Sequence, residues 1–182
     1  MTGLLAAFGL AAATGLNAYL PLLIVGALAR YTDLITLKSP WSALTHPVVL
    51  VVLVVLLIIE ITVDKIPAVD TINDVIQTFI RPAAGAILFA ASSNVISEMS
   101  PVLAMVCGLL VAGGVHAAKA TVRPAVTATT AGLGNPVVSA VEDTVSGVTT
   151  LVAIIIPALI LVIFIVILYL FVRWRRKISK RN

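Results

Sequence analysis

Six ionisable side chains fall within twenty-two residues of an otherwise apolar chain: Glu60, Asp64, Lys65, Asp70, Asp74 and Arg81, in "EITVDKIPAVDTINDVIQTFIRP". A second set, His116, Lys119 and Arg123, recurs at three- and four-residue spacing, which puts the three basic groups on one face if the segment is helical. Glu142 and Asp143 form a third set, inside the apolar run that follows Asn135-Pro136. In hydrocarbon such groups are costly; they turn to a bundle interior or to water, pair with one another and mark ion or substrate paths. The chemistry on offer is therefore proton or cation exchange at the carboxylates, with the cations holding or balancing an anion. Asn17 joins them from the middle of the first apolar stretch: "ATGLNAY" places it two residues after Gly15, as "AGGVHAA" places His116 two residues after Gly114.

Other chemistries find less support. His46 and His116 lie far apart, and no His-x-x-x-His or Glu-x-x-His pairing occurs, so no metal is expected. Serine and histidine form no nucleophile motif and no glycine-rich loop suits a phosphate, so neither a catalytic residue nor a cofactor is assigned. An enzyme acting on a lipid headgroup is the remaining catalytic option, with Glu60 or Glu142 as base and Arg81 or Arg123 gripping phosphate. Cys107, the single cysteine, excludes an intrachain disulfide, and its setting in "LAMVCGLLVAGG" is that of a small packing residue.

These side chains need elements to hold them. Of 182 residues 60% are hydrophobic and 11% charged, with a mean hydropathy of +1.15, too few charges to clothe a domain in water. The expected architecture is all-α: one membrane domain, residues 1–182, built as a polytopic helix bundle. A crossing takes about 20 apolar residues. The segments 3–29, 47–66, 82–98 and 101–118 suit, and the long run from Pro136 to Val172 divides at Pro157 into 136–156 and 157–174. That makes six spans. Residues 68–80, with Val69, Ile72, Ile76 and Phe79 on one stripe, read as a short amphipathic helix at the interface, before Arg81-Pro82 opens the next span. The start of the chain lacks a signal peptide's basic region, so the first apolar stretch is expected to stay as a helix.

The segment "RWRRKISKR", within a tail at 173–182, carries six of the twelve basic residues. Six spans with a basic cytoplasmic tail put both termini in the cytoplasm of an inner-membrane protein. Cytoplasmic ends then hold Lys65, Arg81, Lys119, Arg123 and the tail, against Arg30 and Lys38 opposite, as the positive-inside rule expects. Expected partners are membrane lipids, anionic headgroups at the tail and a second copy of the chain. Nucleic acid is not expected, for want of an aromatic platform or a second basic surface.

An internal match suggests two inverted three-helix repeats, 1–98 and 100–172. "GLNAYLP" resembles "GVHAAKA", and "HPVVLVVLVVLLIIEITVDKIP" resembles "NPVVSAVEDTVSGVTTLVAIIIP". Gly15, Gly113 and Gly114 then read in two ways: as close-packing faces, or as points where helices unwind and free backbone groups for a ligand.

The chain also resembles a family of bacterial integral membrane proteins known as domain of unknown function 4126. The pattern is Glu60-x-x-x-Asp64-Lys65-x-Pro67-x-x-Asp70-x-x-x-Asp74, then Arg81-Pro82-x-x-Gly85, His116-x-x-Lys119-x-x-x-Arg123 and Glu142-Asp143. The resemblance covers nearly everything but the tail. It implies a membrane location and supports the choice of site residues, without implying a chemistry.

The expected function is a small transporter or permeation protein for an ion or small charged solute, using a cytoplasm-facing cluster of intramembrane charges. A lipid-phosphate-handling protein and a scaffold whose charges only join helices are the alternatives.

Overall fold

The computed structural model describes residues 2–64, 67–92 and 99–179, with the side chains of 2, 67–72, 74 and 174–179 left aside. Lys65, the end of the 82–98 segment, and Lys180 and Arg181 of the tail lie outside the described residues. Among these, the chain is helical without a strand: α1 (Thr2–Leu16), α2 (Tyr19–Tyr31), a 3-10 turn (Trp41–Thr45), α3 (Pro47–Val63), α4 (Pro67–Ala91), α5 (Pro101–Thr130), α6 (Asn135–Ile155) and α7 (Pro157–Ser179).

Prolines set most of the starts, since the first turn of a helix has no use for the missing N–H. Pro47 and Pro101 each follow a capping side chain: His46 accepts from the amide of Val48, Ser100 from that of Leu103. A left-handed Ala131 (φ 50°) ends α5 and turns the chain into α6.

The first apolar stretch is not one span. It breaks after Leu16 and doubles back. Gly3 and Leu10 of α1 line the same cavity as Val25 of α2 and residues 34–37 beyond it, so the two arms run antiparallel with both outer ends at one end of the bundle. At 1.5 Å per residue the arms reach only about 20 Å, against roughly 30 Å of hydrocarbon. The break is held by polar partners. Asn17 Oδ1 accepts from the amides of Tyr19 (3.1 Å) and Leu20 (2.8 Å), which serves the free start of α2, while Lys119 Nζ donates to the released Leu16 carbonyl (3.3 Å).

A second correction concerns 68–80. These residues do not form a separate interfacial helix; α4 runs unbroken from Pro67 to Ala91 with Pro82 inside it. The Pro82 ring faces Gly113, whose missing side chain leaves it room. Towards the end of α4 small residues bring it against α5. A Cβ on Gly85 would overlap that of Ala112 and lie 2.8 Å from the Gly108 carbonyl oxygen, so the two backbones nearly touch. Phe8 and Phe89 meet edge to face, 5.1 Å between centroids.

The segments that match in sequence differ in backbone. α5 continues through Gly113 and Gly114, and Gly114 faces open space, whereas Gly15 packs 2.6 Å (from its hypothetical Cβ) from the Ala112 carbonyl. Within residues 1–98, α3 runs away from the hairpin's open end and α4 returns to it, two end-to-end passages instead of three. The inversion expected between the halves finds no support in these elements.

Two helices, Pro101–Thr130 and Asn135–Ile155, are long and apolar enough to cross a membrane by length and composition. Beyond Ile160 every described side chain of α7 is exposed, as are long apolar faces of α3 and α5.

Candidate functional site

Helical spacing alone lines up the side chains of the site. Glu60 and Asp64 lie one turn apart at the end of α3. Asn73, Gln77 and Arg81 recur every four residues along α4. His116, Lys119 and Arg123 share a face of α5, and Asn135, Ser139, Glu142, Ser146 and Thr150 make a polar stripe on α6. All four faces converge on the tip of the α1–α2 hairpin.

Asp64 is the hub. Its Oδ2 lies 3.7 Å from Arg81 Nη2, 3.7 Å from Lys119 Nζ and 3.6 Å from Arg123 Nη2, and it accepts from Ser139 Oγ at 3.5 Å; Oδ1 accepts from Asn73 at 2.7 Å. On one side Arg81 donates to Glu60 Oε1 at 3.0 Å. On the other, Glu142 Oε2 takes Arg123 at 2.7 Å and Lys119 at 3.0 Å. Three cations and three carboxylates thus form one continuous network, with Arg81 fully buried and Glu60 1% exposed. A buried charge is tolerable only when paired in this way.

Hydrogen-bond direction fixes the state of His116. A guanidinium has no acceptor, so Arg81 Nη1 donates to His116 Nδ1 (3.0 Å), and Nε2 must carry the ring hydrogen and donate to Thr78 Oγ1 (3.1 Å). The imidazole is neutral in this arrangement. Asn17 closes the site from the hairpin. While its oxygen caps α2, its Nδ2 donates to Asp143 Oδ1 at 2.8 Å.

A model of the family described as "Domain of unknown function (DUF4126)" matches residues 4–177. The chain belongs to this family. No curated protein and no solved structure matches it.

In this DUF4126 chain the fold brings together Asn17, Glu60, Asp64, Arg81, His116, Lys119, Arg123, Glu142 and Asp143. Of Asp70 and Asp74 it places only the backbone, in the first half of α4. Gln77 of α4 is buried, and Asn73 is half-buried against Asp64. Ser139, Ser146, Thr150 and the Leu16 carbonyl also belong to the site or its approach, and were not singled out. Their signal was the polar stripe on α6, which apolar neighbours obscure. Among the described residues no group of three His, Cys, Asp or Glu side chains is arranged to hold a metal.

The other end of the DUF4126 bundle holds a half-open cavity of about 160 Å³ between the hairpin arms, lined by Leu10, Val25, Thr36, Leu88, Ser92 and Ile154. Between it and Asn17, Ser146 donates to the Ala13 carbonyl (2.9 Å) and Thr150 to that of Ser146 (2.8 Å), both fully buried.

Asn17→Ala is expected to cost the DUF4126 fold about 1–2 kcal/mol, the upper part of the range for a lost N-cap, because Asp143 loses its donor as well. Thermal unfolding in detergent measures it. Asn17→Asp keeps the cap but sets a carboxylate against Asp143, so it should recover little; full recovery would mean that the Asp143 contact is idle.

Proposed function

We propose that the protein is a small inner-membrane transporter or permeation protein for an ion or small charged solute, with the network at the hairpin tip as its binding centre. The observation that carries this is a helix pair that stops part-way at a buried set of charges: the α1 carbonyl end meets Lys119, and the α2 amide end meets Asn17, whose Nδ2 donates on to Asp143. Broken helices with unpaired ends at charged sites are how transporters bind ions within the bilayer. The lipid-exposed surface is supplied by the apolar faces of α3, α5 and α7, which lipid and a second copy of the chain would cover. Positive-inside weighting puts the network end and the basic tail in the cytoplasm, and Arg30 and Lys38 opposite. The polar stripe Ser146–Thr150 and the cavity beyond it supply an approach from that opposite side.

Liposomes containing the full chain test this. Wild type should carry protons, cations or a common anion, and Lys119→Met, which uncouples the hairpin tip from Glu142, should reduce that flux at least tenfold at equal reconstituted amounts. Equal fluxes for wild type, the variant and empty vesicles would end the proposal.

A second reading has its own support. Arg81, Lys119 and Arg123 each lie within 2.7–3.7 Å of carboxylates, as in a scaffold that uses charge only to join helices. It predicts that neutralising any one charge changes melting temperature and abundance together, with no transport to lose. Headgroup handling has less behind it, since Arg81 and Arg123 are buried and engaged by carboxylates instead of facing a surface.

A further inference from the structure

We propose that Glu60 carries a proton on Oε2, donated in a hydrogen bond to the side-chain oxygen of Gln77, and that this proton is the ion the network exchanges. Only the last clause rests on the permeation reading.

The first support is a pair of orphan acceptors. Glu60 Oε2 and Gln77 Oε1 are both buried and have no hydrogen-bond partner. Gln77 lies one turn before Arg81 on the same face of α4, and Arg81 holds the other oxygen of Glu60. Both residues also lie near enough to Tyr19, at the start of α2, to influence its hydroxyl. A buried acceptor left without a donor is costly in a dry interior. One proton between them gives both a partner. The acid's other oxygen goes on accepting from Arg81.

The second support is a charge count. The described site contains four carboxylates, Glu60, Asp64, Glu142 and Asp143, and three permanent cations, Arg81, Lys119 and Arg123, with His116 neutral by its hydrogen bonds. Among the described side chains, four against three leaves one negative charge, which a single proton on Glu60 would offset. An alkali cation would supply the same charge, but it needs several oxygens around it and would face Arg81 Nη2, 3.0 Å from the same carboxyl group. Among the described residues, the charged and titratable groups that face Glu60 are Arg81 from α4, Asp64 on its own helix, Lys119 from α5 and Tyr19 from α2. When the proton leaves Oε2 for water, the described set returns to one excess negative charge, which an incoming cationic charge would offset.

The rival arrangement turns the Gln77 amide over, so that its NH₂ meets a charged Glu60. Infrared spectroscopy of the full chain in lipid nanodiscs at pH 7 separates the two. The expected result is a protonated-carboxyl C=O band that shifts in D₂O, disappears in Glu60→Gln, persists in Glu142→Gln, and moves to higher frequency in Gln77→Leu, where the acceptor is gone. No such band in the wild type, a band that survives Glu60→Gln, or one that ignores Gln77→Leu overturns the assignment. Stability gives a second measure. Glu60→Gln copies the shape of the neutral acid, so its melting temperature should match wild type; a fall as large as that of Arg81→Met overturns the proposal. The band is read without reference to transport. A band without flux keeps the proton and retires the permeation reading, while flux without a band does the reverse.

Discussion

Arg81→Met is expected to destabilise the protein by about 3–5 kcal/mol, the range for removing one member of a buried ion pair. The guanidinium is fully buried and serves three groups on two other helices: Glu60 at 3.0 Å and Asp64 at 3.7 Å on α3, and His116 at 3.0 Å on α5. Methionine fills much of the space but donates nothing, so two acids and a ring nitrogen each lose a partner where no water replaces it. Against a typical total of about 5–15 kcal/mol this is a large share, so the variant should melt well below wild type and aggregate on gel filtration. An unchanged melting temperature would show that Asp64 and its other cations carry the network alone. Adding Glu60→Gln to Arg81→Met should return little of the loss if Glu60 is already neutral, and much of it if Glu60 is charged.

Gly108→Ala should be nearly as damaging, although it adds one methyl group. A Cβ at 108 would overlap the Gly85 carbonyl oxygen and come 2.6 Å from Phe89 Cβ. The first of these is backbone, which has no rotamer to escape into, so α4 and α5 must move apart along their closest contact. Overpacking where side chains can yield costs about 1–3 kcal/mol; here the upper end or more is expected. Gly114→Ala, two turns along the same helix, is the control. Nothing lies within 4 Å of its added Cβ, and alanine gains up to about 1 kcal/mol of helix propensity in water. Melting temperatures should therefore separate in opposite directions from wild type. If both variants melt alike, the tight crossing of α4 on α5 is wrong.

The sequence was most legible where proline writes the boundary. Pro47, Pro101 and Pro157 start helices where they were expected to, and Ile156 is the one non-helical residue between α6 and α7. The same rule misled at Pro82, which lies inside α4, as Pro124 lies inside α5. What decides those cases is room across the contact, as at Gly113 opposite Pro82, and that is set by a partner helix about thirty residues away. The break after Leu16 was illegible for a similar reason. Its flanks are uniformly apolar, so hydropathy runs straight through it; the groups that stabilise it, Lys119 and Asp143, are far along the chain. Charge told more. That Glu60, Asp64, Arg81, Lys119, Arg123 and Glu142 would meet followed from the price of isolating any of them, and the fold brings them together. Gln77 escaped because an amide in a polar segment reads as wet until the opposite wall is known.

The hairpin's anchoring has a consequence for biosynthesis. Its tip is fastened by Lys119, 103 residues downstream of Leu16, and by Asp143, 126 residues downstream of Asn17. Neither has emerged from the ribosome when α1 and α2 are made, and each arm alone is too short to lodge across a bilayer. The α1–α2 hairpin is thus secured only after α6 has been made, and a nascent chain truncated before α6 should leave the hairpin open to protease.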